Sequence, residues 1–332
     1  MRRARIKGPH NTGCYHITSR IVDRAFRMDA GERERFRDIL RRAAAFSGVS
    51  VFTYAILSNH FHLLVEVPEQ PALDDAELLR RVAALYGAAE AENLRERWDA
   101  WAQDGVGALA ERERERLRGR MGDISPFMKL LKQRYTQSYN RRHRRTGTLW
   151  EGRYASVLVE GRGRALAAVA AYVDLNPVRA GMVSDPSEYR WSGYGEAYGG
   201  SVAAQQGLIA VHAAYLTPGR LDWSAAGAAH RALLCARGAD GRGGFSSAEA
   251  QAVINRGGRM PLADWLRCRV RYFRDGVAFG SAAFVEGVFE RNRAHFGSRR
   301  RIGARKIRFC REEGFRVARD LRRDPVSVPS RA

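Results

Sequence analysis

Apolar and polar residues alternate most clearly in two stretches of the N-terminal third. Residues 14–22, Cys-Tyr-His-Ile-Thr-Ser-Arg-Ile-Val, are β-branched and alternate, which predicts a strand. Residues 60–67, His-Phe-His-Leu-Leu-Val-Glu-Val, predict another. Side chains at i and i+2 of a strand share a face, so His60 and His62 lie together, with Phe61, Leu63 and Val65 opposite. Between these strands, Phe36, Ile39, Leu40 and Ala43 recur at helical spacing and predict an amphipathic helix over 29–47. A strand over 49–57 follows, and Ser58-Asn59 joins it to the His60 strand as a hairpin. Asp123-Ile-Ser-Pro126 starts a helix running through Phe127, Leu130, Leu131 and Tyr135 to about 142. A last strand covers 154–160, and a helix over 161–176 is stopped by Pro177. Strand, helix, strand, strand, helix, strand is the split βαβ order of an α+β, ferredoxin-like antiparallel sheet with helices on one face.

Two segments stand outside that pattern. Residues 74–120 are rich in Ala, Glu, Leu and Arg and read as a polar helical insertion without chemistry of its own. Composition shifts after Gly199, which divides the chain into a domain over 1–198 and a basic, mostly helical region over 199–332. Within the latter, 262–273 and 282–296 read as two helices ahead of an arginine-rich stretch. The pair is either a helix-turn-helix over about 262–296 or a plain helical hairpin with a basic face.

Charge narrows the partners. The 57 Lys and Arg against 36 Asp and Glu leave a net charge of +21, mostly from arginine, whose fork grips phosphate. Nucleic acid is therefore the first partner to expect. A membrane is not expected, since no spanning segment or amphipathic anchor is visible. Gly8-Pro9-His10 stands where a secretory signal needs an apolar run, so the expectation is a cytoplasmic, nucleoid-associated protein. Cys14, Cys235, Cys268 and Cys310 form no Cys-x-x-Cys pair, against a zinc module or a disulfide framework.

The candidate chemistry lies in two patterns. His60 and His62, side by side on a strand, can hold one divalent cation, and a cation there can polarise a phosphate. Tyr172 and Asn176, four apart, share one helix face. A phenol can attack a phosphodiester, and an amide oxygen can complete a cation's shell. Each pattern also has an ordinary reading: polar residues on a half-exposed strand, and a core tyrosine with a helix cap. The other histidines, His16, His143, His212, His230 and His295, have weaker claims, and Glu66 lies too far along its strand to join the pair.

Taken in order, four segments carry a resemblance. They are Tyr15-His-Ile-Thr-Ser-Arg20, Leu57-Ser-Asn-His-Phe-His-Leu-Leu64, Gly147-Thr-Leu-Trp-Glu-Gly-Arg-Tyr154 and Tyr172-Val-Asp-Leu-Asn-Pro-Val178, with Tyr189-Arg-Trp-Ser-Gly-Tyr194 closing the stretch. The chain resembles the single-tyrosine (HUH) transposases of the IS200-like superfamily, in particular the REP-associated tyrosine transposases. The resemblance implies a metal-dependent DNA transposase or single-strand endonuclease that cleaves and rejoins single-stranded, hairpin-forming DNA. It implies Mg²⁺ or Mn²⁺ on His60, His62 and Asn176. Tyr172 is then the nucleophile, leaving a 5′-phosphotyrosine and a free 3′-hydroxyl. Its relatives include monomers and homodimers.

Tyr135 and Tyr139 are rival nucleophiles, set aside because Tyr172 has the amide partner and the Asn-Pro-Val ending. The basic surroundings of the rivals suit DNA contact instead, by Lys132, Arg134, Arg141, Arg142, Arg144, Arg145 and Arg153, with Trp150 and Tyr154 to stack unpaired bases. Two further readings stay open: a DNA-binding protein that keeps the fold without turnover, and a replication-initiator or relaxase-type nickase.

Overall fold

A computed structural model describes residues 5–69, 73–214, 221–235, 276–306 and 315–319. Four strands form the centre: β1 (Gly13–Arg20), β2 (Ser50–Ile56), β3 (His60–Val67) and β4 (Ala155–Val159), in the order β2-β3-β1-β4 and all antiparallel to their neighbours. Helix α1 (Ala30–Ser47) joins β1 to β2. The Asp29 carboxylate caps its start by accepting from the Glu32 amide, and Gly48, at φ 65°, turns the chain out of it. Helices α2 (Asp75–Tyr86), α3 (Ala88–Gln103) and α4 (Gly107–Arg118) occupy the stretch 74–120. They bury Leu78, Val82, Leu94, Trp98 and Leu117 in a small core closed by Phe46 of α1. Helix α5 (Ile124–Arg142), capped by Asp123, leads towards β4.

The expectation of helices on one face is corrected. Phe61, Leu63 and Val65 of β3, with Tyr15 and Ile17 of β1, pack under Phe36 and Leu40 of α1 and Phe127, Leu131 and Tyr135 of α5. The opposite, histidine-bearing face is also covered. Cys14, Leu64 and Val157 pack there against Ala170, Tyr172 and Val173 of α6 (Arg164–Asp174) and Val211 of α9 (Val202–Ala213). A sheet buried on both sides needs apolar residues on both, and Leu63-Leu64-Val65 supplies an unbroken run. Pro177 does not end the helical path either. It sits in the first turn of a further one-turn helix, α7 (Asn176–Arg179), where its missing N–H costs nothing.

The sheet is mixed rather than purely antiparallel. Strand β5 (Ala278–Gly280) runs parallel to β4, followed outward by β7 (Arg316–Ala318) and β6 (Arg305–Lys306). Helix α8 (Gly193–Tyr198) ends just before 199, and among the described residues the chain after it adds three strands to helices α9, α10 (Trp223–Cys235) and α11 (Ala282–Arg291). The first helix of the suggested helix-turn-helix, 262–273, lies outside the described residues. Its second half is α11 with a 3-10 turn (Arg293–His295), and it seats Val285, Val288 and Phe289 in the core beside Ala278 and Ala318. No helix among the described residues is long and apolar enough to cross a membrane.

Candidate active site

His62 is buried and His60 half-buried at the start of β3. Their rings lie 5.2 Å apart between centroids. The next strand contributes a third imidazole that the sequence placed only loosely. Thr18 of β1 pairs with His62, so His16, two residues back on the same face, sits diagonally across from it. His16 Nε2 lies 3.0 Å from His62 Nδ1, and the two rings meet edge to edge, nearly parallel with centroids 5.3 Å apart. When His62 Nδ1–H is the donor in this contact, its Nε2 carries the lone pair that a ligand uses.

For His60 the tautomer follows from Asn59. The Asn59 amide nitrogen donates to the Arg24 carbonyl at 2.8 Å, which only an NH2 group can do. Its oxygen therefore faces His60 Nδ1, 2.7 Å away, and that nitrogen must carry the proton. The lone pair of His60 is then on Nε2.

Helix α6 brings the phenol to this face. The Tyr172 ring stands edge-on to His16 and His62, with centroids 5.5 Å and 5.7 Å away, and only 5% of the residue is exposed. The Arg179 guanidinium lies over the same ring, 5.2 Å from its centroid. Its Nη1 is buried without a hydrogen-bond partner among the described residues. Nothing in the sequence singled out Arg179. The Asn176 amide nitrogen donates to the Tyr172 and Val173 carbonyls at 2.8 and 3.3 Å, capping the end of α6. Its oxygen is the atom a cation would use.

Two residues beyond Tyr172, Asp174 anchors the helix. Its fully buried carboxylate accepts from the Thr53 hydroxyl at 2.7 Å, the Tyr194 amide at 3.1 Å and His230 Nε2 at 3.0 Å. His230 Nδ1 meets His212 Nε2 at 3.0 Å, extending the chain to α9. Burial, reinforced by His230, pushes the His212 pKa down to about 3, so His212 is held neutral.

A pocket of about 250 Å³ opens beside the histidines, lined by Thr18, Ser19, Arg20, His60, His62, Glu151, Gly152, Arg153 and Ala155. Of the residues expected to contact DNA, Arg153 lies here. Arg134, Arg141 and Arg142 share a separate cavity of about 440 Å³ with Arg35 and Arg42 of α1, which the sequence showed only as a polar helix face. Arg142 and His143 also hydrogen-bond the buried Glu32 carboxylate. Burial alone would raise that carboxyl, but these partners hold it below its usual range. Lys132 donates to the Gly152 carbonyl at 2.7 Å, and burial, with Arg5 nearby, lowers its pKa to about 8. Arg145 reaches the Asn140 side chain and the Thr148 carbonyl, and Arg144 is exposed on a left-handed turn at φ 47°.

The stacking role expected of Trp150 and Tyr154 is corrected. Trp150 is buried against Phe36, Phe61 and Tyr135 and donates to the Thr136 hydroxyl at 2.9 Å. Tyr154 is buried with the Arg5 guanidinium 3.8 Å over its ring. Neither face is open to a base. Tyr135 and Tyr139 are also buried in the core under the sheet face opposite the histidines. Burial, then Glu32, pushes the Tyr135 phenol far up, which makes it a poor nucleophile.

Among the described residues no group of three or more His, Cys, Asp and Glu side chains forms a metal shell. His60 and His62 are the neighbouring imidazoles that could hold a cation in an open site, completed by an oxygen donor, substrate or water. Such a set suits a catalytic rather than a structural ion.

No protein-family model matches the chain, and no curated protein matches it. Among solved structures, it is similar to one described as a REP-associated tyrosine transposase bound to a REP hairpin. The identity is 14% and the TM-score 0.38, over 68% of this chain and 94% of that one.

Proposed function

We propose that this protein is a metal-dependent, single-strand DNA endonuclease and strand transferase, a REP-associated type of tyrosine transposase on a ferredoxin-like core, acting on hairpin-forming DNA. The observation that carries the reading is the meeting of Tyr172 with the His16–His62 pair, from two adjacent strands and a helix that lies more than 100 residues beyond them in sequence. Tyr172 Oη attacks the scissile phosphorus, a Tyr–O–P bond forms and the P–O3′ bond breaks. The phenol proton passes to solvent and the departing 3′-oxygen takes one up. The product is a 5′-phosphotyrosine, and attack by another 3′-hydroxyl reverses the step without an external energy source.

Mg²⁺ or Mn²⁺, held by His60, His62 and Asn176, would neutralise charge on the phosphate in the transition state. Asn59 and His16 keep the two imidazoles in ligating orientation. The Arg179 guanidinium, already desolvated over the Tyr172 ring, favours the negative charge that gathers there. Arg20 and Arg153 at the pocket place the strand by its phosphates.

The test is a covalent adduct. Labelled single-stranded hairpin oligonucleotides are incubated with the protein and Mn²⁺ and run on a denaturing gel. Wild type forms a slow-migrating protein–DNA species, and Tyr172→Phe does not. Absence of the species from wild type, or its persistence in Tyr172→Phe, overturns the reading.

A further inference from the structure

We infer that Phe26 is a stacking platform for an unpaired nucleobase at the edge of this site, an inference that rests on the reading of single-stranded DNA as substrate. Phe26 is 83% exposed, more than any other large hydrophobic side chain among the described residues. Single exposed apolar residues are common on protein surfaces. What distinguishes Phe26 is how firmly it is presented and where.

Its loop joins β1 to α1 and is pinned at both ends to the turn that precedes His60. The Ile21 amide donates to the Asn59 carbonyl at 2.8 Å, and the Met28 amide to the Ser58 carbonyl at 2.9 Å. Ile21 and Met28 are themselves buried. Between them, the Arg24 and Ala25 amides close turns onto the Ile21 and Val22 carbonyls. Asp23 and Arg24 both take left-handed backbone, at φ 58° and 55°, which non-glycine residues adopt only when their surroundings hold them there. The same Asn59 side chain that fixes the His60 tautomer holds the loop through the Arg24 carbonyl. The platform and the candidate metal ligand are thus two ends of one hydrogen-bonded unit.

The surroundings select the occupant. Exposed Arg24, Asp23 and Asp29 interrupt the surface around Phe26, so there is no apolar patch for a protein partner. An exposed aromatic face is what an unpaired base requires for stacking, and Arg24, exposed on the same loop, supplies a cation for the strand's phosphates. Trp150 and Tyr154 cannot serve, being buried.

The test measures binding rather than cleavage, on a Tyr172→Phe background that forms no adduct, by fluorescence anisotropy with a hairpin bearing a single-stranded flank and with a blunt duplex of the same stem. Phe26→Ala should weaken the flanked hairpin by about 5- to 150-fold and leave the blunt duplex unchanged. Phe26→Trp should restore binding, and its indole emission should be quenched by the strand. Unchanged affinity for the flanked hairpin in Phe26→Ala, or an equal loss on both DNAs, overturns the platform. The two proposals separate cleanly. Flank-specific loss with no adduct from the Tyr172 protein keeps the platform and removes the cleavage reading. Adduct formation with unchanged flank binding does the reverse.

Discussion

Asp174 gathers more of the fold onto the nucleophile helix than its single side chain suggests. Through it the end of α6 is tied to Thr53 on β2, to the start of α8 at Tyr194 and to His230 on α10, and through His230 to His212 on α9. Replacing it by alanine leaves the Thr53 hydroxyl, the Tyr194 amide and the His230 Nε2–H as buried donors without an acceptor. Each such group costs about 1–3 kcal/mol, and neighbours in one network do not add in full. The expected loss is about 3–5 kcal/mol, a large part of the roughly 5–15 kcal/mol that holds a domain together. Asparagine makes a sharper comparison. Its oxygen still accepts from Thr53 and Tyr194, but its NH2 group meets the His230 Nε2–H. Relief requires His230 to move its proton to Nδ1, so that Nε2 accepts and Nδ1 donates to His212. That switch costs about 1–2 kcal/mol, the scale of one imperfect hydrogen bond. Urea denaturation of the full chain, followed by tryptophan fluorescence, should rank wild type above Asp174→Asn and Asp174→Asn above Asp174→Ala. A loss under about 1 kcal/mol for alanine, or equal losses for both variants, would refute the accounting.

Two further outcomes follow from groups near this network and the histidine pair. His212 is neutral in the fold with its pKa near 3, against about 6.5 when unfolded, so the unfolded chain binds a proton more readily. Its contribution is whole above pH 6.5 and drains as pH falls towards 3, reaching a loss of about 2 kcal/mol at pH 5. Denaturation midpoints at pH 7.5 and 5 should show that loss, and His212→Asn should flatten it; an equally steep profile in the variant would contradict the assignment. Asn59→Ala frees the His60 tautomer and should weaken Mn²⁺ binding by about 10- to 100-fold, the usual cost of losing a ligand's outer partner. Electron paramagnetic resonance titration of free Mn²⁺ reads this directly, and unchanged affinity would show that Asn59 does not orient the ligand.

The central strands and helices were legible because each carries a long, regular period, and the His-x-His and Tyr-x-x-x-Asn spacings could be read from the same periods. What escaped has a common cause. Register is absent from sequence, so His16 looked like a surface residue until Thr18 paired with His62 and set it diagonally against that ring. The second helical layer was missed although Leu63-Leu64-Val65 breaks the alternation, because two polar histidines at the head of the strand read as a wet face. Trp150 and Tyr154 were given to DNA by the arginines beside them, yet neighbouring charge says nothing about which side of α5 an aromatic ring meets. Strands β5, β6 and β7 are two or three residues long, too short for any period to show. Phe26 and Asp174 make the physical point most plainly. One is an apolar ring in water and the other a carboxylate in the core, and each breaks the inside–outside rule by which elements are read. A residue that breaks the rule carries no weight in a periodic pattern. It acquires meaning only when the fold fixes which side is inside, and the partners that tolerate the violation can be named. Asp174 lies two residues from Tyr172, and the Phe26 loop is tied through Asn59 to the turn before His60, so local cost is accepted there for placement.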